Sequence, residues 1–294
     1  MRILIVGATG FVGGQLTEAL HTAGHDVVAF SRSASQAEFP DGVETFEGNL
    51  EDPRSVEGLC EDVDVAYYLI HSLTAKNFAE LDRTYARRFR KLASAAGVDR
   101  VIYLSGISGD ERNLSPHLAS RREVESVLEG ERFDLTVLRA AIIIGAGSAS
   151  FRIVDDLTDR LPMMTVPKWV RTPCQPISIS DAVAYLVGVL DAEETRGGIY
   201  DIGAPTVWSY ESLLKLTAAQ KGKRVLIVPV PLMSPSLSSH WLRLTTDVQY
   251  AIARPLVESM RNPVTVDPER DLQSVVPIEQ TSVETAVQRA LADG

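Results

Sequence analysis

"RILIVGATGFVGG", residues 2–14, decides how the rest of the chain is read. A short apolar run leads without a break into three spaced glycines, Gly7, Gly10 and Gly13. That is the pattern of a parallel strand buried on both faces and ending in a tight turn. After Gly10 the period changes. Phe11, Val12, Leu16, Ala19 and Leu20 recur at helical spacing until Gly24 ends them. Each glycine of this G-x-x-G-x-x-G has a physical reading. Gly7 permits the turn, Gly10 lets a pyrophosphate approach the backbone, and Gly13 allows the helix to pack close on the strand. Thr9, Phe11 and Val12 complete the loop and the first helical turn, whose free N–H groups suit an anion. A tight turn with no ligand is the other reading. The strand–turn–helix context weighs against it.

Further strands are read at 26–30, 43–47, 63–70, 100–105 and 134–140. Between them, residues 75–96 place Phe78, Leu81, Tyr85, Phe89, Leu92 and Ala96 on one helix face, with Gly97 as the stop. Residues 117–129 read as another helix. Alternating strands and helices define an α/β fold, a doubly wound parallel Rossmann sheet. The second half is less regular. "QPISIS" and "GIYDIG" read as strands around the helix "DAVAYLVGVLD", and "KRVLIVPV" as another strand. The expected division is a nucleotide-binding domain over 1–205, with lobe segments inserted around 150–178, and a small C-terminal substrate lobe over 206–294.

Composition narrows the function. The net charge of −10 and the lack of a basic run argue against nucleic acid. Cys60 and Cys174 sit in no ligand-like spacing, so buried thiols in a reduced cytoplasm are expected, with no metal site. The chain enters its first strand at Arg2, so no signal peptide is expected. The longest charge-free run, 225–242, carries Pro229, Pro231 and Pro235 and is rejected as a transmembrane span.

The second strand ends "AFSRS" and is followed by no acid until Glu38. An NAD site wants a carboxylate there for the ribose 2′-OH, whereas Ser31 and Arg32 suit a 2′-phosphate. NADP(H) is therefore expected over NAD(H). In "EGNLEDP", Asn49 and Leu50 fall where an adenine is flanked, although Asn also suits a plain turn. Ile70 ends the fourth strand and His71 follows it, at the carboxyl edge where ligands bind. His71 reads equally as a neighbour of the nicotinamide or as a packed loop histidine. His21, His25 and His240 are isolated. In "PKWVRTPCQP", Trp169 and Arg171 read as pocket-facing or as part of a proline-held surface loop.

Together, "GATGFVGG", "GNLED", "YYLIHSL", "RVIYLSGI" and "LSPHLASRREVE" resemble the atypical short-chain dehydrogenase/reductases, the group that includes NmrA-like proteins and an accessory subunit of respiratory complex I. The likeness covers residues 1–205 well and the remainder loosely. It implies an NAD(P)H-binding Rossmann core with a variable lobe as the substrate pocket. It also implies that a Ser after the fifth strand polarises a carbonyl, that a Tyr moves the proton, and that a Lys four residues later tunes the Tyr and holds the ribose. Ser105 matches the Ser. His117 stands at the Tyr position and Arg121 at the Lys position.

The i, i+4 spacing puts His117 and Arg121 on one helix face. Arg121 would lower the imidazole pKa and favour the neutral form, which still donates a hydrogen bond. Arg121 itself can hold ribose or phosphate oxygens but cannot shuttle protons. Two functions follow. One is an NADPH-dependent reductase or redox isomerase for a small apolar carbonyl or enone, using Ser105 with His117 or His71. The other is an NADP(H) sensor or assembly protein that retains the nucleotide as structure. A homodimer or a peripheral protein partner fits either, and a third reading takes 229–242 as a docking surface for a membrane complex.

Overall fold

A computed structural model describes residues 1–75, 77–109, 114–129, 132–230 and 246–294, apart from the side chains of 167–169 and 229–230. The predicted run 229–242 and His240 therefore lie outside the described side chains.

The apolar runs pair in register. β1 (Arg2–Val6) lies between β2 (Asp26–Ser31) and β4 (Val65–Tyr68). β3 (Glu44–Glu47) extends one side, and β5 (Arg100–Gly106) and β6 (Asp134–Ala140) extend the other. The strand Ile199–Ile202 closes the far edge against β6. The order is Ile199–Ile202, β6, β5, β4, β1, β2, β3, and every pairing is parallel. Strand order reverses between β1 and β4, which opens a crevice at their carboxyl ends.

Both faces of the central strands are covered, which is why those strands read as continuous apolar runs, whereas the edge strand β3 is largely exposed. Ile3 and Ile5 point to one face, where α1 (Phe11–Thr22) and α5 (Ile179–Gly188) supply Leu16, Leu20, Ala182 and Leu186. Leu4 and Val6 point to the other, against Tyr85 and Phe89 of α2 (Phe78–Ala96) and Val124 of α3 (Pro116–Leu128). Tyr67 and Tyr68 are fully buried. Gly97, at φ 78°, ends α2 in the left-handed conformation. The buried face of α2 is rotated from the sequence expectation. Ala86 and Ala93 are fully buried while Leu81 and Leu92 lie at its margin, because small residues permit the closest approach. That face also buries Asp82, which matters below.

The lobe has a core of its own. It joins Ile142, Ile144 and Phe151 to Leu213 of α6 (Tyr210–Gln220), Val257 of α7 (Tyr250–Ser259) and Val287 of α8 (Val283–Ala292). The helix α4 (Ala149–Arg160) packs inside that core. Lobe packing thus begins near residue 142, and residues 272–278 return to the Rossmann core. No helix among the described residues is long and apolar enough to cross a membrane.

One buried cation fastens the amino-terminal end of the sheet. Arg100 is 1% exposed. It donates to Thr136 Oγ1 on β6, to the Val189 carbonyl after α5 at 2.6 Å and to Thr195 Oγ1 at 2.6 Å. Arg100→Met should lower unfolding free energy by about 3 kcal/mol, because charged hydrogen bonds are lost and buried acceptors are stranded. Chemical denaturation checks this, and an unchanged midpoint would remove Arg100 from the fold's supports.

Candidate functional site

A cavity of about 400 Å³ lies over the carboxyl ends of β1, β4, β5 and β6. Its floor is the glycine loop. Gly7 sits at φ +104°, and the Gly7 and Ala8 N–H groups donate to the Phe30 carbonyl at 2.9 and 3.1 Å. A Cβ on Gly13 would stand 2.2 Å from the Gly7 carbonyl oxygen, so only glycine allows α1 this close to β1. Gly10 begins α1 with no side-chain cap, which leaves the first-turn N–H groups free to meet an anion. These features suit a dinucleotide pyrophosphate.

The cavity gathers most of the predicted residues: Gly7, Gly10, Phe11, Val12 and Gly13 below, with His71, Ser105, His117 and Arg121 at the side. Ser115 caps α3, accepting from the Leu118 N–H, and Pro116 takes the first helical position. This start aims His117 and Arg121 at the cavity. Arg121 donates to the Ile70 carbonyl at 3.3 Å and to Tyr103 Oη at 3.3 Å, with its guanidinium 5.8 Å over the Tyr103 ring. Neither Tyr68 nor Tyr103 lines the cavity, so neither replaces the expected Tyr.

Both histidines are held below the usual imidazole range, by desolvation first and by the Arg121 charge second. His117 falls to about 3, with His71 as a third influence. His71 is exposed through the cavity, so water moderates its depression. His117 Nδ1 is buried with no hydrogen-bond partner among the described residues. At neutral pH both rings are uncharged. They can donate or accept a hydrogen bond but are not imidazolium acids.

The sequence reading missed two carboxylates here. Asp82, on α2, is 3% exposed and accepts from Ser120 Oγ at 3.3 Å. Its pKa is raised by burial, while Ser72, Arg121 and Ser120 pull the other way. Glu125, one turn beyond Arg121, accepts from Ser105 Oγ at 2.7 Å. Arg139 forks onto both Glu125 oxygens at 3.0 and 2.6 Å, and Arg122 adds a contact at 2.9 Å. With Glu125 as a carboxylate, the Ser105 hydrogen is directed away from the cavity. Spacing held the clue, since His117, Arg121 and Glu125 share one face of α3. Tyr210, at the start of α6, also lines the cavity and was not expected there.

The residues predicted around the adenosine lie apart from this cavity. Arg32 is exposed at the end of β2. Ser31 is buried and accepts from the Ser33 N–H at 3.2 Å. Thr9 is exposed in the loop, and Ile70 packs beneath Gly7. Asn49 Oδ1 accepts from the Glu51 N–H at 3.0 Å, an Asx turn. Leu50 corrects an expectation. It is 2% exposed inside the core, which leaves its side chain no face for an adenine. Arg171 is likewise no cavity wall: it is exposed and paired with Glu211 at 2.7 Å. The Trp169 side chain is outside the described residues. Cys60 and Cys174 are buried free thiols, each pushed up to about 12 by burial. No metal-ligand group occurs among the described residues.

The chain belongs to the NAD(P)H-binding family, whose model matches residues 7–168, more than half of the sequence. This agrees with the resemblance to the atypical short-chain dehydrogenase/reductases. Among curated relatives, the ceramide reductase of Caulobacter vibrioides is 30% identical over 190 residues, covering 63% of this chain and 59% of that protein. The photosystem II assembly factor Ycf39 of Synechocystis is 21% identical over 239 residues, covering 79% and 71%. Among solved structures, the Citrobacter triphenylmethane reductase complexed with NADP(H) superposes with a TM-score of 0.78 at 19% identity, covering 99% of this chain and 100% of that one. That likeness is one of fold.

The Arg121 charge gives a checkable coupling. Arg121→Met should move both histidine pKa values upward in an NMR titration, with His117 remaining below about 6.5 because desolvation is its leading cause. Between the folded and unfolded pKa of His117, the unfolded chain binds more protons, so this residue costs stability as pH falls below about 6.5. His117→Asn should therefore lose less stability than the wild type between pH 7 and 5. Parallel stability curves would contradict the depressed value.

Proposed function

We propose that this chain is an NADP(H)-dependent oxidoreductase that reduces a small apolar carbonyl or enone. One observation carries the reading. A single cavity joins the uncapped start of α1 to His71, Ser105, His117 and Arg121, and its remaining walls are largely apolar, including Leu104, Ile142, Leu256 and Met260. The family match and the ceramide reductase relative support nicotinamide chemistry. The exposed Arg32 at the end of β2, with no acid before Glu38, supports a 2′-phosphate and hence NADP(H).

The glycine loop would hold the pyrophosphate, and Arg121 would face ribose or carbonyl oxygens. Reduced nicotinamide supplies a hydride when bound. The chain's own work is to place the acceptor carbon and to stabilise negative charge developing on its oxygen. Neutral His117 or His71 can donate a hydrogen bond to that oxygen, and Arg121 adds a fixed positive charge beside it. Leu104, Ile107 and Ile142 exclude water.

A second reading is favoured by the replaced Tyr and Lys positions and by the Ser105 hydrogen directed at Glu125: an NADP(H)-sensing or assembly protein, as the Ycf39 relatives are named. The deciding experiment has two parts. Mass spectrometry identifies what the gently purified protein releases on denaturation. NADPH oxidation is then followed with a panel of aldehydes, ketones and quinones. NADP with turnover supports the reductase, and loss of that turnover in the His71→Ala/His117→Ala pair would place the histidines in it. NADP(H) held tightly with no turnover moves the assignment to the sensor or assembly role. Arg32→Glu should weaken NADPH binding far more than NADH binding, and equal losses by isothermal titration would refute the preference.

A further inference from the structure

The reductase reading leaves the proton unexplained. Hydride arriving at a carbonyl carbon leaves an alkoxide that must be protonated. The Tyr expected four residues before Arg121 is replaced by His117, the two histidines are neutral, and Tyr210, which also lines the cavity, belongs to the lobe core at the start of α6 rather than to the Ser105 cluster. Ser105 alone cannot serve, because its hydrogen is donated to Glu125 at 2.7 Å, and it offers the cavity only lone pairs.

We propose that Glu125 supplies the proton through Ser105. With Glu125 protonated at Oε1, the direction of the 2.7 Å hydrogen bond reverses. The carboxyl O–H donates to Ser105 Oγ, and the Ser105 O–H turns into the cavity. Oε2 keeps Arg139 Nη2 at 2.6 Å and Arg122 at 2.9 Å, while Arg139 Nε, 3.0 Å from Oε1, meets the remaining lone pair of the carboxyl O–H oxygen. As the acceptor carbon takes the hydride, its oxygen takes the Ser105 proton and Ser105 takes the Glu125 proton. One hydride and one proton are consumed, the nicotinamide is oxidised, and Glu125 is left as a carboxylate.

The carboxylate has a route back to solvent. Glu125 also lines a second cavity, of about 700 Å³, on the far side of α3. Ser126 and Glu129, both exposed, open that cavity to water. Ser105 lines the first cavity and Glu125 the second, so the hydrogen bond between them links the two. A purely structural ion pair would not need this placement.

The charges around Glu125 are balanced. Arg122 and Arg121 on α3 and the Arg139 fork from β6 favour the carboxylate. Burial and Asp201, the register partner of Arg139 on the neighbouring strand, favour the acid. Tyr103, on β5, adds a further buried polar neighbour. The result is a carboxyl pushed up to about 7, first by burial, with the Ser105 hydrogen bond opposing. Such a group gives and regains a proton at neutral pH.

The inference rests on the reductase reading, and its test separates the two. In wild-type protein carrying isotope-labelled glutamate, infrared spectroscopy should show a protonated carboxyl band that disappears near pH 7 and is missing in Glu125→Gln. NADPH binding, by fluorescence, should be unchanged in Glu125→Gln. NADPH oxidation by phenanthrenequinone should fall about 100-fold, and the pH dependence near 7 should vanish. Ser105→Ala should show a similar loss, and the double variant no greater one. Glu125→Asp should restore a titrating step. A wild-type protein that binds no NADPH, or leaves phenanthrenequinone unreduced, removes the reductase reading and this inference with it. Binding and turnover intact, with a wild-type pH profile in Glu125→Gln, overturns the relay alone. Should Glu125→Gln not fold, the wild-type infrared titration decides: no carboxyl band between pH 5 and 9 overturns the relay.

Discussion

The closest approach of α1 to β1 is the constraint from which the site follows. At Gly13 the helix backbone lies so near the Gly7 carbonyl that any Cβ would stand 2.2 Å from it. Thr17 Oγ1 then donates to the Gly13 carbonyl at 2.8 Å, fastening the same turn from within the helix. This contact sets where α1 begins. Its uncapped first turn becomes the cavity floor, directly below the ends of β4 and β5. Moving α1 outward by the width of one methyl group would take the floor away from His71, Ser105 and His117 together.

Around that floor, buried charges are arranged in pairs rather than singly. Arg121 is faced by Asp82, and Arg139 by Glu125, with Asp201 beside it in register when Glu125 takes a proton. An unpaired buried charge would be severely unfavourable, so each cation near the site comes with a carboxylate from another element. The pairs have opposite consequences. Arg121 keeps the histidines neutral, whereas burial lifts Glu125 toward neutral pH. One helix, α3, carries both effects because its spacing of four residues lines up His117, Arg121 and Glu125.

Much of this was legible in the chain. The central strands announced themselves because both their faces are covered, and Gly7, Gly10 and Gly13 could be read one by one. His71 was named from its place after the fourth strand, Ser105, His117 and Arg121 from the family resemblance, and the four share one cavity. Asp82 and Glu125 were not seen, since an acid in an amphipathic helix looks like solvent-facing charge until its packing is known. Asp82 lies on the buried side of α2 because that helix is rotated toward Ala86 and Ala93. Leu50 misled for a related reason. A loop leucine beside a turn Asn suggests a ligand surface, yet the core beneath β2 absorbs it. Long-range burial has no local signature.

The carboxyl-terminal tail has a mechanical consequence. After the lobe helix α7, the chain crosses back to the Rossmann half. Gln273 and Gln280 hydrogen-bond Tyr185, Thr281 bonds Asp181 twice at 2.7 Å, and the Arg270 carbonyl accepts from the Asp201 N–H at 2.8 Å. The two halves are therefore sewn together by these hydrogen bonds as well as by the chain itself. Rotation of one half against the other would have to break this seam. The seam restrains one half against the other, while α7, whose Ile252, Leu256 and Ser259 line the cavity, lies outside it.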